Sequence, residues 1–421
     1  MAWYRQFDWL LIICWVLLFS AGLVAIYSAT LGPVSQFLPS YIKGNFLNQI
    51  IWIAVSLIAL AAIQFTNPRT FQQISYALYV ICIILAIATV IWGTEAGGAR
   101  RWLVIGGLRF QISEMLKLAT ILAVANYLTS RRDISAEHIG SALFAVVLMI
   151  IPAVIIILQN DTGTALVLLA LIPVMLFWSG LPYGISLFLI SPAIIAYFAI
   201  INWKLGVAAT IVLSIAIFFI QKRPWLTSSA FILGNLVVVG VQLALYQILK
   251  PHQQARIEAF VNPALDPQGA GWNVLQAKTA IGSGGLWGKG FLEGTQTQLR
   301  FLPEQWTDFI FPVIAEEFGF IGAGLLLLVF TILLLRLLSN AGEHRHPFAQ
   351  LVIVGVAMTF FVHLLINLGS AMGLFPIIGL PLPFVSYGGS AFLSYTVMLA
   401  ICINFHFFKR EFSIYSSTSR A

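Results

Sequence analysis

Apolar residues run along this chain in blocks of about twenty, parted by short polar, glycine or proline breaks. A spanning helix needs about 20 mostly apolar residues, so each block predicts one membrane crossing. Twelve blocks read this way, at approximately 8–29, 46–65, 73–93, 113–129, 140–158, 162–179, 183–201, 205–221, 227–249, 308–336, 348–371 and 388–408. The expected fold is an all-α polytopic membrane protein, a single integral domain over 1–421 with about 12 transmembrane helices. Some breaks are tight, such as Gln159-Asn160-Asp161 and Ser179-Gly180-Leu181-Pro182, and a re-entrant block would lower the count to eleven or ten.

The long polar stretch is 250–307. It keeps Trp272, Leu275, Ile281, Leu286, Trp287, Phe291, Leu299 and Phe301, too many apolar residues for a disordered linker. The repeat from Trp272 to Ile281 predicts a short interfacial helix. Gly282-Ser283-Gly284-Gly285 and Gly288-Lys289-Gly290 follow. They fail as a phosphate loop, because Ser283 stands where the first glycine is required and Gly290 where a Ser or Thr is required. A tight backbone turn near a polar ligand is the better account. Near the C-terminus, Phe375 to Ser390 contains Pro376, Pro381, Pro383 and Gly379 and cannot be a continuous helix. Irregular backbone at membrane depth survives only when buried or lining a cavity, so this segment predicts a re-entrant wall.

Composition sharpens the class. The chain is 60% hydrophobic and 9% charged, against about 25% charged in soluble domains. It cannot cover a soluble surface. The formal net charge of +7 then speaks for basic loops at anionic headgroups rather than for nucleic acid. Cys14, Cys82 and Cys402 lie inside apolar runs and read as packing residues. Asp8 interrupts the first apolar run and no small-residue cleavage pattern follows, so no cleaved leader is expected.

With the N-terminus in the cytoplasm, Arg5, Arg69, Arg131, Arg132, Lys222, Arg223, Arg336, Arg345, Lys409 and Arg410 all fall inside, as the positive-inside rule asks. Twelve spans then place both termini in the cytoplasm and 250–307 outside. Arg100, Arg101, Arg109, Lys278, Lys289 and Arg300 are left on the outer side, against the rule. An anionic ligand there is one reason for them; solvated loop charge is the other.

Acidic residues in or beside spans are costly, about 2.5–3.5 kcal/mol for Asp at a helix centre. They are Glu114, Asp161, Asp308, Glu316 and Glu317. Asp308 opens a span among Trp306, Thr307, Phe309 and Phe311, a setting that suits a general base. From position alone a helix N-cap is the simpler account. Glu114 and Lys117 lie three apart on one helix face and can form a local ion pair or, with Arg109 and Gln111, a polar wall. Asp161 begins a span, and Glu316 or Glu317 could pair with an arginine.

These residues carry a resemblance. Phe301-Leu302-Pro303-Glu304-Gln305-Trp306-Thr307-Asp308-Phe309-Ile310-Phe311 with Ala315-Glu316-Glu317-Phe318-Gly319 resembles the signature of the SEDS family (shape, elongation, division and sporulation). So do Gly98-Ala99-Arg100-Arg101-Trp102, Gln111 to Lys117, Gly163-Thr164-Ala165, Gln276 to Gln296, and Gly379-Leu380-Pro381-Leu382-Pro383-Phe384-Val385-Ser386-Tyr387-Gly388-Gly389-Ser390. Gly294-Thr295-Gln296-Thr297-Gln298-Leu299 is similar to the elongation branch more than to the division branch. There are departures. Trp306 stands where the family usually has His, Asn160 and Thr162 flank Asp161 where Pro and Leu are usual, and 202–249 adds two spans to a typical ten.

The resemblance implies a glycosyltransferase of the bacterial inner membrane that polymerises lipid II into glycan strands during cell elongation and shape maintenance. It implies Asp308 as the catalytic carboxylate. It implies that Arg100, Arg101, Trp102, Arg109, Glu114, Lys117, Asp161, Lys278 and Ser386 bind substrate. Lipid II, membrane lipids and a class B penicillin-binding protein transpeptidase are the expected partners, with no nucleic acid. No nucleotide cofactor is required, because the donor is already activated; the sequence holds no ligand cluster of transition-metal type, which leaves room only for a loosely bound divalent cation, Mg or Mn, at the pyrophosphate. Three alternatives remain at this level: a division-type polymerase, a lipid-linked precursor flippase, and a scaffold that recruits a transpeptidase. Polar motifs concentrated toward the outer side favour an enzyme over a transporter.

Overall fold

The computed structural model describes residues 7–96, 99–105, 108–130, 139–249, 251–262, 270–409 and 411–412. In the first third, α1 (Trp9–Leu31), α2 (Ser40–Lys43), α3 (Asn45–Gln64) and α4 (Pro68–Trp92) lead to three strands, β1 (Thr94–Ala96), β2 (Ala99–Ile105) and β3 (Leu108–Phe110). Next come α5 (Ile112–Ser130), α6 (Ile139–Leu158), α7 (Thr162–Trp178), α8 (Tyr183–Ile201), α9 (Trp203–Gln221) and α10 (Pro224–Leu243). The polar stretch holds α11 (Pro251–Val261), α12 (Ala270–Ser283) and α13 (Thr295–Gln298), before α14 (Ile310–Glu343), α15 (Pro347–Ala371) and α16 (Gly389–Phe407). α12 covers the helix expected from Trp272 to Ile281 and buries Val274, Ala277 and Ala280.

Ten of the described helices are long and apolar enough to cross a membrane, and α7 is a shorter apolar helix of 17 residues. α5, which carries Glu114 and Lys117, is not among the ten. Length and composition therefore give fewer spans than the twelve apolar blocks; the difference lies in α5 and α7. The small antiparallel sheet β1-β2-β3 was not expected, because strands of 3–7 residues are too short to show an alternating pattern.

Burial orders the bundle. The spanning windows of α15 and α16 are 72% and 78% buried, against 11% for the window that contains α3. α15 and α16 form the centre, and helices such as α3 turn their apolar surface outward. α9 and α10 pack chiefly on each other and on α8. Small residues allow that approach: a Cβ on Gly206 would stand 2.7 Å from the Ala199 Cβ. At its start α1 is capped by Asp8, whose second oxygen takes bonds from Arg336 Nε at 2.8 Å and Asn340 Nδ2 at 2.7 Å, tying α1 to the far end of α14.

α14 is broken at Gly319, with φ 66° and ψ −165°. The glycine-rich turn fills the break. Lys289 N and Gly290 N donate to Glu316 O and Glu317 O at 2.9 and 3.1 Å, while Phe320 N and Ile321 N donate to Gly285 O and Leu286 O at 2.8 and 3.1 Å. The glycine cluster is a tight turn, as expected, and it lies against α14. A Cβ on Gly284 or Gly288 would overlap the α14 backbone, which is why the turn is glycine-rich.

Candidate active site

The site grows from the chain just before α14. Trp306 packs into an apolar cluster with Ala29, Val34, Leu38 and Ile42, and Phe309 packs into another with Ala277, Ala280, Leu302 and Ala371. Thr307 and Asp308 are suspended between these anchors and remain half-buried. Glu304 adopts the left-handed region at φ 50°, and its carbonyl accepts from Thr307 N at 3.1 Å, Thr307 Oγ1 at 3.2 Å and Asp308 N at 3.2 Å.

Asp308 is not a helix cap. The N-cap of α14 is Phe309, with no side-chain capping bond, and no described group hydrogen-bonds the Asp308 carboxylate. The expected re-entrant wall stands beside it. Ser386 Oγ donates to Thr307 O at 2.6 Å and accepts from Leu382 N at 2.9 Å. Tyr387 N donates to Trp306 O at 2.8 Å. Gly379, at φ 79°, faces the carboxylate so closely that a Cβ there would lie 3.4 Å from Asp308 Oδ2.

Loss of solvation pushes the Asp308 carboxyl up to about 6; Arg101 pulls it down, Glu304 pushes it up and Arg256 pulls it down. Glu304 is itself raised, mainly by burial. A carboxylate acting as a base works only when ionised, so turnover should be lost as pH falls through about 6 and be full above it. Removing a like charge favours ionisation, so Glu304→Gln should move the ascending limb of the pH–rate profile to lower pH. Arg101→Ala should move it higher. Profiles of the two variants that shift together, or not at all, would count against this electrostatic picture.

The other expected residues divide into two groups. Arg101, on β2, is half-buried, and its Nε has no partner among the described residues. Arg100 and Trp102 flank it on the same strand; Arg100 is exposed and Trp102 accepts from Thr94 Oγ1 at 3.2 Å. Lys278 is exposed on α12, its Nζ over Gly373. Arg109 sits on β3 opposite Val104, and its side chain lies outside the described residues.

A second group is committed to protein partners. Glu114 and Lys117 form a buried ion pair at 2.9 Å, and Lys117 Nζ lies 2.8 Å from His363 Nε2 with no exposed surface. Lys117, expected among the substrate-binding residues, has its ammonium paired with Glu114 inside the bundle. Asp161 caps α7 through Thr164 N at 3.2 Å and takes Gln111 Nε2 at 2.9 Å. Ser386 is likewise a brace for the Thr307 backbone and not a free ligand group. Glu316 and Glu317, expected to find an arginine, do not. Glu316 pairs with Lys289 at 2.8 Å and takes Gln296 N and Thr297 N, while Glu317 bonds Ser28 and Gln298.

Three further residues at the site were not expected from the sequence. Arg256, on α11, is exposed, has no partner among the described residues, and acts electrostatically on Asp308. The reasoning that singled out Lys278 would have found it, since it is another basic residue on the same side. Asn367 donates to Asp308 O at 3.1 Å and Leu380 O at 2.8 Å, and His363 bonds Pro381 O at 3.1 Å. These two polar residues, four apart in an apolar helix, were a readable signal.

Fold and site together define a multi-pass helical membrane protein with a carboxylate that no described group hydrogen-bonds, beside a proline-rich wall and under the electrostatic influence of Arg101 and Arg256. The chain belongs to the FtsW/RodA/SpoVE family, described as cell cycle protein, which matches residues 8–210 and 187–411. It is 33% identical to the peptidoglycan glycosyltransferase MrdB of Escherichia coli K12 over 371 residues, 88% of each chain. It is 32% identical to the peptidoglycan glycosyltransferase RodA of Treponema pallidum, over 94% of this chain and 96% of that one. Among solved structures, a chain of a peptidoglycan synthase complex that coordinates polymerization and crosslinking is similar, with TM-score 0.73 and 25% identity over 96% of this chain and 99% of that one. The rod shape determining protein RodA of Thermus thermophilus shares the fold, with TM-score 0.62 and 24% identity over 96% of this chain and 98% of that one.

Proposed function

We infer that this chain is a peptidoglycan glycosyltransferase of the elongation type, polymerising lipid II with Asp308 as general base. The observation that carries the mechanism is the placement of Asp308: held by its backbone, with no described group hydrogen-bonded to its carboxylate, and beside the Gly379 turn. A carboxylate serving structure would be spent on a partner, as Asp161 and Glu316 are. In the reaction an acceptor sugar hydroxyl attacks the anomeric carbon of the donor. The new glycosidic C–O bond forms as the bond to the lipid-linked pyrophosphate breaks, and the hydroxyl proton passes to Asp308. Arg101, Arg256 and Lys278, whose side chains have no hydrogen-bond or ion-pair partner among the described residues, are suited to offset charge on the departing pyrophosphate. Arg100 and Trp102 belong to the same strand and are assigned to the substrate with them.

Among the described residues no three His, Cys, Asp or Glu side chains are grouped to hold a metal. Asp308 and Glu304 are the carboxylates at hand, so this reading leaves any divalent cation, Mg or Mn, on the pyrophosphate and routes no step through it. The site end of the bundle is assigned to the outside of the inner membrane and both termini to the cytoplasm, on the strength of the basic loops at the opposite end. The α9–α10 hairpin is read as an addition to the family core, since it meets the rest of the bundle chiefly through α8. A class B penicillin-binding protein is the proposed partner, supported by the likeness to a chain of a synthase that couples polymerization to crosslinking.

Purified protein given labelled lipid II in detergent should produce a ladder of glycan strands that lysozyme digests. No ladder, together with lipid II translocation in proteoliposomes, would replace the enzyme by a transporter.

A further inference from the structure

Three donors on one face of α15 hold the re-entrant wall. His363 Nδ1 bonds Pro381 O at 3.1 Å, Asn367 Nδ2 bonds Leu380 O at 2.8 Å, and Ser370 Oγ bonds Pro376 O at 3.0 Å. Positions 363, 367 and 370 follow the helical repeat and share a face. The need is physical. The wall has no helical ladder of its own, and backbone carbonyls left unsatisfied at membrane depth are costly.

Asn367 does something the other two do not. Its Nδ2 also donates to Asp308 O at 3.1 Å, so one amide group joins the wall to the chain of the catalytic carboxylate. Both amide hydrogens are used. Its Oδ1 is buried with no hydrogen-bond partner among the described residues. Rotating the amide would set Oδ1 against two carbonyl oxygens, so the donor orientation is the only one the surroundings allow. An asparagine that leaves its acceptor idle and spends both donors is shaped by those two carbonyls. Neither Ser, with one donor, nor Asp, with none when ionised, could replace it.

We propose that Asn367 is the positioning residue of the polymerase: it holds the Asp308 backbone in register with the Gly379 turn, so that the carboxylate faces the place where the acceptor hydroxyl must sit. Gly379 and Asp308 Oδ2 approach closely without any bond between them. The separation is maintained from behind, by the Asn367 fork on Leu380 and Asp308 and by the Ser386 bond to Thr307. Without the fork, Asp308 drifts away from the wall and gains water. A misplacement of about 1 Å is worth on the order of 100-fold in rate.

The inference rests on Asp308 as the base, and the experiment separates the two. Asn367→Ala should lower kcat by about 10- to 100-fold while lipid II binding, measured directly with fluorescent lipid II, stays within about two-fold of wild type. The ascending pH limb should move below 6, because a better-solvated carboxyl ionises more easily. A purely structural role would not move that limb. Asn367→Ser, which keeps one donor, should fall between wild type and Asn367→Ala, and it carries the test if the alanine variant does not accumulate. Wild-type kcat in both variants, with Asp308→Asn inactive, would overturn the positioning role and leave the base in place. Loss of lipid II binding in step with kcat, with an unmoved limb, would also overturn it, since Asn367 would then act on the substrate rather than through Asp308. An active Asp308→Asn would sink the base first.

Discussion

Asp308→Asn should abolish glycan polymerisation and leave the protein as stable as wild type, or slightly more so. The two halves of that expectation have separate causes. The carboxylate makes no hydrogen bond with any described group, so the amide replaces nothing structural. The partly buried charge is costly to keep, and Glu304 opposes it. Removing it relieves a strain that the site holds for catalysis. Asn cannot take a proton at neutral pH, and general base catalysis contributes about 10²–10⁴-fold, so little turnover should remain. Polymerisation of labelled lipid II and thermal melting of the purified variant report the two halves. Turnover within a few-fold of wild type would show that the base lies elsewhere.

Gly319→Ala should lower the melting temperature sharply, through the backbone alone. At φ 66° and ψ −165° Gly319 occupies a region essentially reserved for glycine. An added Cβ would overlap the Gly288 nitrogen and stand 2.6 Å from Leu286 O. Alanine must therefore separate the glycine turn from α14. The bonds of Phe320 N to Gly285 O and of Ile321 N to Leu286 O would go with it, leaving backbone groups unpaired at membrane depth. Backbone strain of about 1–3 kcal/mol and two broken hydrogen bonds at about 1 kcal/mol each put the loss on the order of 4 kcal/mol. Gly324, further along the same helix, has nothing within 4 Å of its would-be Cβ, so Gly324→Ala should melt like wild type or slightly above it. Equal melting temperatures for the two variants would refute the account of the break.

Some of this molecule was open to reading in one dimension. The apolar blocks, the helix at Trp272–Ile281, the irregular wall at 375–388 and the buried cysteines depend on local composition and period, which a bilayer enforces strongly. The motifs around Asp308 and the wall were enough to place the chain in its family. The short strands of 94–110 were not legible, because their pairing is made across turns and leaves almost no pattern within each strand. The break in α14 was hidden for a similar reason. Gly319 looks like any intramembrane glycine until the turn from Gly284 to Gly290 is brought against it.

The polar residues show where the boundary lies. Composition and spacing established that Glu114, Lys117, Asp161, Asp308, Glu316 and Ser386 each needed a satisfied environment in or near the bilayer. They did not establish which partner supplied it. Lys117 met His363, 246 residues away, and Ser386 met Thr307, 79 residues away, so two residues expected at the substrate have internal partners that spacing could not name. The Asp308 carboxylate met no hydrogen-bond partner among the described residues, and α14 started one residue too late to need it as a cap. A low-dielectric interior makes every unpaired polar group expensive, so a sequence in a membrane announces that partners must exist. Only the packing of distant helices decides which groups are matched to each other and that no described group bonds the Asp308 carboxylate.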